Sequence, residues 1–217
     1  MNKLDVVFFD LDDTLIDSNK AYAQAYAAIG IDPHSTPFCH ARDEAKSCMG
    51  KNHTSSHNRW AYVKRLLETQ AKFSARELIR QLEIYESALT QVIAQQWVFL
   101  QRAEVLKRVK KNCRLAIITN ETLRTQILKL NEMDPDSQLF ELMVTSEEAG
   151  VEKSSAKIFQ IALTRMNTSA KNSLMIGNDE LADLKEAKLL GMNTELVQEF
   201  TGGRTLEEAL AARGLLE

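Results

Sequence analysis

Val6-Val7-Phe8-Phe9 is an unbroken apolar run that breaks off into Asp10-Leu11-Asp12-Asp13-Thr14. A run of this kind reads as a short strand buried on both faces, as in a parallel sheet. The pattern returns three times. Leu115-Ala116-Ile117-Ile118 ends in Thr119-Asn120, Phe140 to Val144 ends in Thr145-Ser146, and Leu174-Met175-Ile176 ends in Gly177-Asn178-Asp179. Thr194 to Val197 reads as a fifth strand. Helical spacing fills the intervals: Ala103 to Lys111, a segment through Leu123, Ile127 and Leu130, and a segment after Lys153 through Ile158, Ile161 and Leu163. Leu181 to Leu190 follows, stopped by Gly191 as a C-cap, with a closing helix over 205–213. Residues 19–98 contain almost nothing strand-like. There, Pro33 and Pro37 separate two helices, Trp60, Val63, Leu66 and Leu67 fall at helical spacing, and Ser74 with Glu77 forms a capping-box start. The alternation predicts an α/β fold: a Rossmann-like parallel sheet core with helices on both faces, plus an inserted all-helical domain. The core is read as residues 1–18 and 99–217, the insertion as 19–98.

In such sheets ligands bind beyond the carboxyl ends of the strands. That rule gathers Asp10 and Asp12, Thr119 and Asn120, the Lys153 loop, and Asn178 and Asp179 at one edge. Carboxylates this close repel one another unless a cation sits among them, and an all-oxygen set suits Mg2+. A Lys with a hydroxyl and an amide suits a second anion beside it, most naturally a phosphate. An Asp carboxylate can attack phosphorus and form an aspartyl-phosphate, and a second Asp two residues on can serve as acid and then base.

These segments resemble the haloacid dehalogenase superfamily, specifically its helical-cap phosphatases, over residues of about 1–18 and 99–200. The resemblance rests on four motifs in order: Asp10-Leu11-Asp12-Asp13-Thr14, Ile117-Ile118-Thr119-Asn120, the stretch from Ser146 to Lys153, and Gly177-Asn178-Asp179 with Asp183, then Ala187 and Gly191-Met192. It implies that Asp10 is nucleophile and metal ligand. Asp12 is implied as acid/base, with its backbone carbonyl on the metal. Thr14, Thr119, Asn120 and Lys153 are implied on the phosphate side, and Asn178, Asp179 and Asp183 on the metal side. The fourth motif usually has an acid directly after its Gly; here that position is Asn178, so either its carbonyl or the Asp179 carboxylate takes the ligand's place. The helical insertion becomes a cap over the site. The implied activity is Mg2+-dependent hydrolysis of a small phosphorylated metabolite. The alternatives are a dehalogenase with Asp10 attacking carbon, against which Asp12 counts, a phosphotransferase or mutase, and a weakly active homologue that binds a phosphorylated ligand.

Composition narrows the partners. The chain has 217 residues, 44% of them hydrophobic, and a net charge of −3. That balance argues against a dedicated nucleic-acid or anionic-membrane binder, and no apolar run approaches the roughly 20 residues of a membrane span. The start of the chain shows no signal-peptide pattern. Three Cys without framework spacing suit a cytoplasmic compartment. His53 and His57 fit zinc-site spacing, but Cys39 and Cys48 are too far apart for it, which argues against zinc. The chain is expected to act as a monomer or homodimer.

Overall fold

The structure of the chain, a computed structural model, describes residues 4–50 and 52–216. Residues 1–3, 51 and 217, which the expected domain division includes, lie outside them. Strands β1 (Val6–Phe9), β2 (Arg114–Thr119), β3 (Phe140–Thr145), β4 (Ser173–Gly177) and β5 (Asn193–Leu196) form one parallel sheet in the order β3-β2-β1-β4-β5. β1 is central: Val6 aligns with Arg114 on one side and with Ser173 on the other. Val7 and Phe9 join Leu115, Ile117, Leu174 and Ile176 in one core. Val6 and Phe8 join Ala116, Ile118 and Met175 in the other. Both faces are covered, which is why these strands read as continuous apolar runs rather than as alternations.

Four helices intervene between β1 and β2: α1 (Ser18–Ala28), α2 (Thr36–Met49), α3 (Arg59–Thr69) and α4 (Ala75–Phe99). They form the inserted helical cap. Its centre is aromatic: Tyr26 meets Phe38 and Tyr85 edge-on at 4.7 and 5.0 Å between ring centroids, and Trp60 meets Tyr85 at 5.2 Å. Half of the expected capping box forms. Ser74 accepts from the Glu77 N–H, but the Glu77 carboxylate turns to Arg80 and Gln81 instead of closing the box. α4 also continues well past the apolar pattern that announced it, burying Val92, Ile93 and Trp97. The two connections between cap and core are stapled together. The Asp17 N–H donates to Gln96 Oε1 (2.9 Å), and Gln96 Nε2 donates to the Asp17 carbonyl (3.0 Å).

The core helices are α5 (Arg102–Lys110), α6 (Leu123–Met133), α7 (Ser146–Ala149), α8 (Ala156–Arg165), α9 (Lys185–Leu189) and α10 (Leu206–Ala211). Two differ from the sequence reading in ways that matter for the site. The helix expected from Leu181 to Leu190 is split into one π-helical turn, Glu180–Leu184, and α9. That wide turn carries the Asp183 carboxylate back under β4, where it accepts the N–H groups of Asn178 and Asp179 at 2.9 Å each. α6 turns the other way round from an ordinary amphipathic helix. Leu123 and Ile127 are 42% and 50% exposed, while Gln126 and Lys129 are completely buried. Among the described residues no helix is long and apolar enough to cross a membrane.

Candidate active site

β1, β2 and β4 end side by side because they are parallel and nearly in register, so their terminal residues share one edge. Asp10, Asp12, Thr119, Asn120, Lys153, Asn178 and Asp183 all line a single cavity there of about 320 Å3. The Lys153 ammonium is buried between two carboxylates, bonded to Asp10 Oδ1 and lying 2.6 Å from Asp183 Oδ1. Burial alone would lower the Lys153 pKa, but the two carboxylates outweigh it and hold the ammonium well above its usual range. Burial also raises Asp10, to about 7, because one ammonium cannot neutralise two acids and Asp183 and Asp12 add further repulsion. Gly177 is required for this packing. A β-carbon there would lie 2.5 Å from the Asp183 side chain.

The residues expected on the phosphate side are held by their neighbours. Thr119 Oγ1 accepts from Gln126 Nε2 (2.8 Å), leaving its own O–H to donate into the cavity. Asn120 Oδ1 accepts the Lys153 N–H (2.8 Å), leaving its NH2 end free to donate. Thr14 is buried beneath rather than on the cavity wall; its hydroxyl lies 3.2 Å from Asp10 Oδ2 and 3.3 Å from Asn178 Oδ1, so it braces the Asp10 carboxylate.

The donor set fits a hard cation. One end of the Asn178 amide lies 3.2 Å from the Asp12 carbonyl oxygen and 3.3 Å from Asp183 Oδ2. If that end is oxygen, it faces a cluster of oxygens; if nitrogen, it donates to both. Adjacent oxygens around an octahedral Mg2+ are separated by about 3 Å, since each ligand lies at about 2.1 Å. Asp10, the Asp12 carbonyl, Asn178 and Asp183 can therefore hold Mg2+ with the Asn178 carbonyl turned inward. Among the described residues no group of three or more Asp, Glu, His or Cys gathers for a metal, so neutral oxygens supply half of this set. Asp179, expected as the alternative to Asn178, is not among the residues lining this cavity; its Oδ1 accepts the N–H groups of Leu181 and Ala182, so it caps the π-helical turn. The His57 and His53 side chains likewise have other partners, Glu152 and the Ser55 N–H.

Sequence reasoning missed the shell around Asp12. Its Oδ1 is bonded by the Lys129 ammonium and the Ser18 hydroxyl, with the Tyr22 hydroxyl at 3.3 Å, and its Oδ2 accepts from Gln126 Nε2 at 2.7 Å. Burial would raise the Asp12 pKa, but Lys129 and Ser18 overcome it and hold the carboxyl well below its usual range. The signal for this shell was Gln126 and Lys129 at i, i+3, two polar residues on one stripe of a helix that begins just past the Thr119-Asn120 turn. Also missed was Arg59 of α3, which is bonded to Glu121 and stacked on Tyr22, its Cζ 3.4 Å from the ring centroid. Replacing Lys129 by Met leaves the Asp12 carboxylate without its counter-charge. We expect Lys129→Met to lose about 2 kcal/mol in denaturant unfolding, less than a fully buried pair because Asp12 is partly exposed, and Asp12→Asn to recover most of that loss in the double variant. Additive losses would show that the pair does not interact.

The model of the haloacid dehalogenase-like hydrolase family matches residues 7–197. The chain is 30% identical over 204 residues to a ribulose-1,5-bisphosphate 5-phosphatase of Halopiger xanaduensis, covering 88% of this chain and 83% of that protein. It is 29% identical over 195 residues to a glyceraldehyde 3-phosphate phosphatase of Pyrococcus abyssi, covering 87% and 79%. Its fold matches a magnesium-bound putative hydrolase, YfnB, of Bacillus subtilis with a TM-score of 0.70 at 20% identity, over 98% of this chain and all of that one. A 2-haloacid dehalogenase of Pseudomonas syringae pv. tomato shares the fold equally well, with a TM-score of 0.70 at 19% identity and 98% of both chains covered. With its sheet, its inserted cap and a family match that spans β1 to the end of β5, this chain belongs to the haloacid dehalogenase-like hydrolases.

Proposed function

We propose that the chain is a Mg2+-dependent phosphatase that hydrolyses a small phosphorylated metabolite through an aspartyl-phosphate on Asp10. The carrying observation is the convergence of Asp10, Lys153, Thr119 and Asn120 on one cavity at the end of the central strand. The two phosphatase relatives support the same reading. So does Asp12, an acid two residues past the nucleophile that attack on carbon does not call for. The proposed cap comprises residues 19–98, supported by the staple between Asp17 and Gln96 where the two connections meet. A cytoplasmic setting belongs to the same reading, supported by the odd number of cysteines without framework spacing.

In this mechanism Lys153, the Thr119 hydroxyl and the Asn120 amide bind the phosphoryl oxygens, and Asp10 attacks phosphorus as the ester oxygen leaves. The ester oxygen takes a proton from Asp12. Water then attacks the aspartyl-phosphate, Asp12 takes its proton, and Asp10 and inorganic phosphate are released. Held by Lys129 as a carboxylate, Asp12 is well prepared for the second half-reaction. For the first it must take up a proton and loosen its contacts with Lys129 and Gln126. Mg2+ held by Asp10, the Asp12 carbonyl, Asn178 and Asp183 would supply positive charge to the phosphoryl group.

Asp10→Asn is expected to lower turnover of p-nitrophenyl phosphate with Mg2+ by about a thousandfold or more while the protein stays folded, since the covalent path is removed. Full activity in that variant contradicts the reading. Because Asp10 is raised to about 7, metal binding competes with its proton. Apparent Mg2+ affinity measured calorimetrically should rise roughly tenfold from about pH 6 to about pH 8. A flat profile would remove Asp10 from the metal site. Asn178→Asp adds a third carboxylate to the donor set and should tighten Mg2+ binding by about tenfold; unchanged affinity would place the cation elsewhere.

A further inference from the structure

On the phosphatase reading, the leaving group faces the part of the cavity built from the cap side, from the turn after β2 and from Asp13 in the turn after β1. Tyr22, His57, Arg59, Glu121, Asp13 and Asn19 form it. Apart from the aromatic ring of Tyr22, its wall carries no large apolar side chain, so it suits a hydrogen-bonding group rather than a hydrocarbon. Its cations are already engaged. Arg59 is bonded to Glu121, whose side chain is only 2% exposed, and its Cζ lies over the Tyr22 ring, 3.4 Å from the centroid. His57 Nε2 lies 3.4 Å from Glu152 Oε1. Lys153 is shared between Asp10 and Asp183. Glu121 is fixed in place, with Oε1 accepting the Thr122 N–H at 2.9 Å and Oε2 facing both Arg59 and the Tyr22 hydroxyl, the latter at 3.3 Å.

A second anionic group on the substrate would therefore meet the carboxylates of Glu121 and Asp13, while among the described residues that line the cavity each cation already has a carboxylate partner. A hydroxylated, uncharged leaving group meets acceptors and donors that it can satisfy. We propose that Glu121, by neutralising Arg59, selects phosphate monoesters whose leaving group is a small uncharged polyol and rejects those that carry a second phosphate or a carboxylate. Building a like charge against the wrong ligand is a common route to specificity. This inference rests on the phosphatase reading and sharpens it. It also sets the chain apart from the relative that acts on a bisphosphate.

The test compares two substrates of one size, sn-glycerol 3-phosphate and 3-phosphoglycerate, which differ in whether the far end is a hydroxymethyl or a carboxylate. The full chain is assayed with Mg2+, and p-nitrophenyl phosphate reports general phosphatase activity. We expect kcat/KM to favour glycerol 3-phosphate by about tenfold or more. Glu121→Gln keeps an acceptor for the Thr122 N–H but frees the Arg59 charge, and should shift the ratio toward 3-phosphoglycerate by about tenfold. Arg59→Gln leaves Glu121 uncompensated and should shift the ratio the opposite way; it carries the test if Glu121→Gln does not fold. A wild-type preference for 3-phosphoglycerate, turnover of neither ester alongside active p-nitrophenyl phosphate hydrolysis, or a ratio unmoved by the substitutions overturns the proposal while leaving the phosphatase reading intact. Failure to hydrolyse any of the three, with Mg2+ present, overturns both.

Discussion

One buried ammonium between two buried carboxylates organises this molecule. Lys153 reaches Asp10 at the end of β1 and Asp183 from the π-helical turn after β4, and it is anchored through its backbone to Asn120 at the end of β2. The group as it stands carries one negative charge more than positive. Buried charge without a partner is expensive, so the fold has to supply either a proton or a cation. Asp10 answers by shifting its pKa upward, and the ring of oxygens from Asp12, Asn178 and Asp183 offers a place for the cation. Two local features nearby serve the same need. Gly177 gives Asp183 room, and the π-helical turn brings its carboxylate back to the strand end.

A second charge pair lies alongside, Asp12 with Lys129, and it is neutral overall. Tyr22 links it outward, because its hydroxyl lies 3.3 Å from both Asp12 Oδ1 and Glu121 Oε2 while accepting from Lys129. Glu121 in turn holds Arg59 of the cap. Asp12 is thus connected to α1 of the cap through Tyr22 and onward to α3 through Glu121 and Arg59, and the cap meets the core again at Ser56–Glu152. Position of the cap and the freedom of Asp12 to move are tied to each other by these bonds.

Much of this was legible in the chain. The apolar runs located β1, β2, β3 and β4, because strands buried on both faces must be apolar at every position, and the polar residues that close them marked the site edge. Asp10, Asp12, Thr119, Asn120, Lys153 and Asp183 do line one cavity. What stayed hidden depends on where side chains point. Leu123, Ile127 and Leu130 carried the helical spacing of α6, yet Gln126 and Lys129 turn inward because Asp12 supplies the acceptors that make their burial favourable. The resemblance implied Asp179 as the alternative to Asn178, but two N–H groups at the start of the next turn claim its Oδ1. Arg59 and Glu121 are 62 residues apart and share no pattern; only the folded cap brings them together.

On the proposed reading, Asp10 is the group that faces the phosphoryl centre beside a cation. A crystal structure grown with Mg2+ and beryllium fluoride tests this most directly. The account predicts a trifluoroberyllate bonded to an Asp10 carboxylate oxygen, within hydrogen-bond reach of Lys153, Thr119 and Asn120, with Mg2+ touching Asp10, the Asp12 carbonyl and Asn178. Beryllium fluoride bound away from Asp10, or a metal held by other residues, would contradict it.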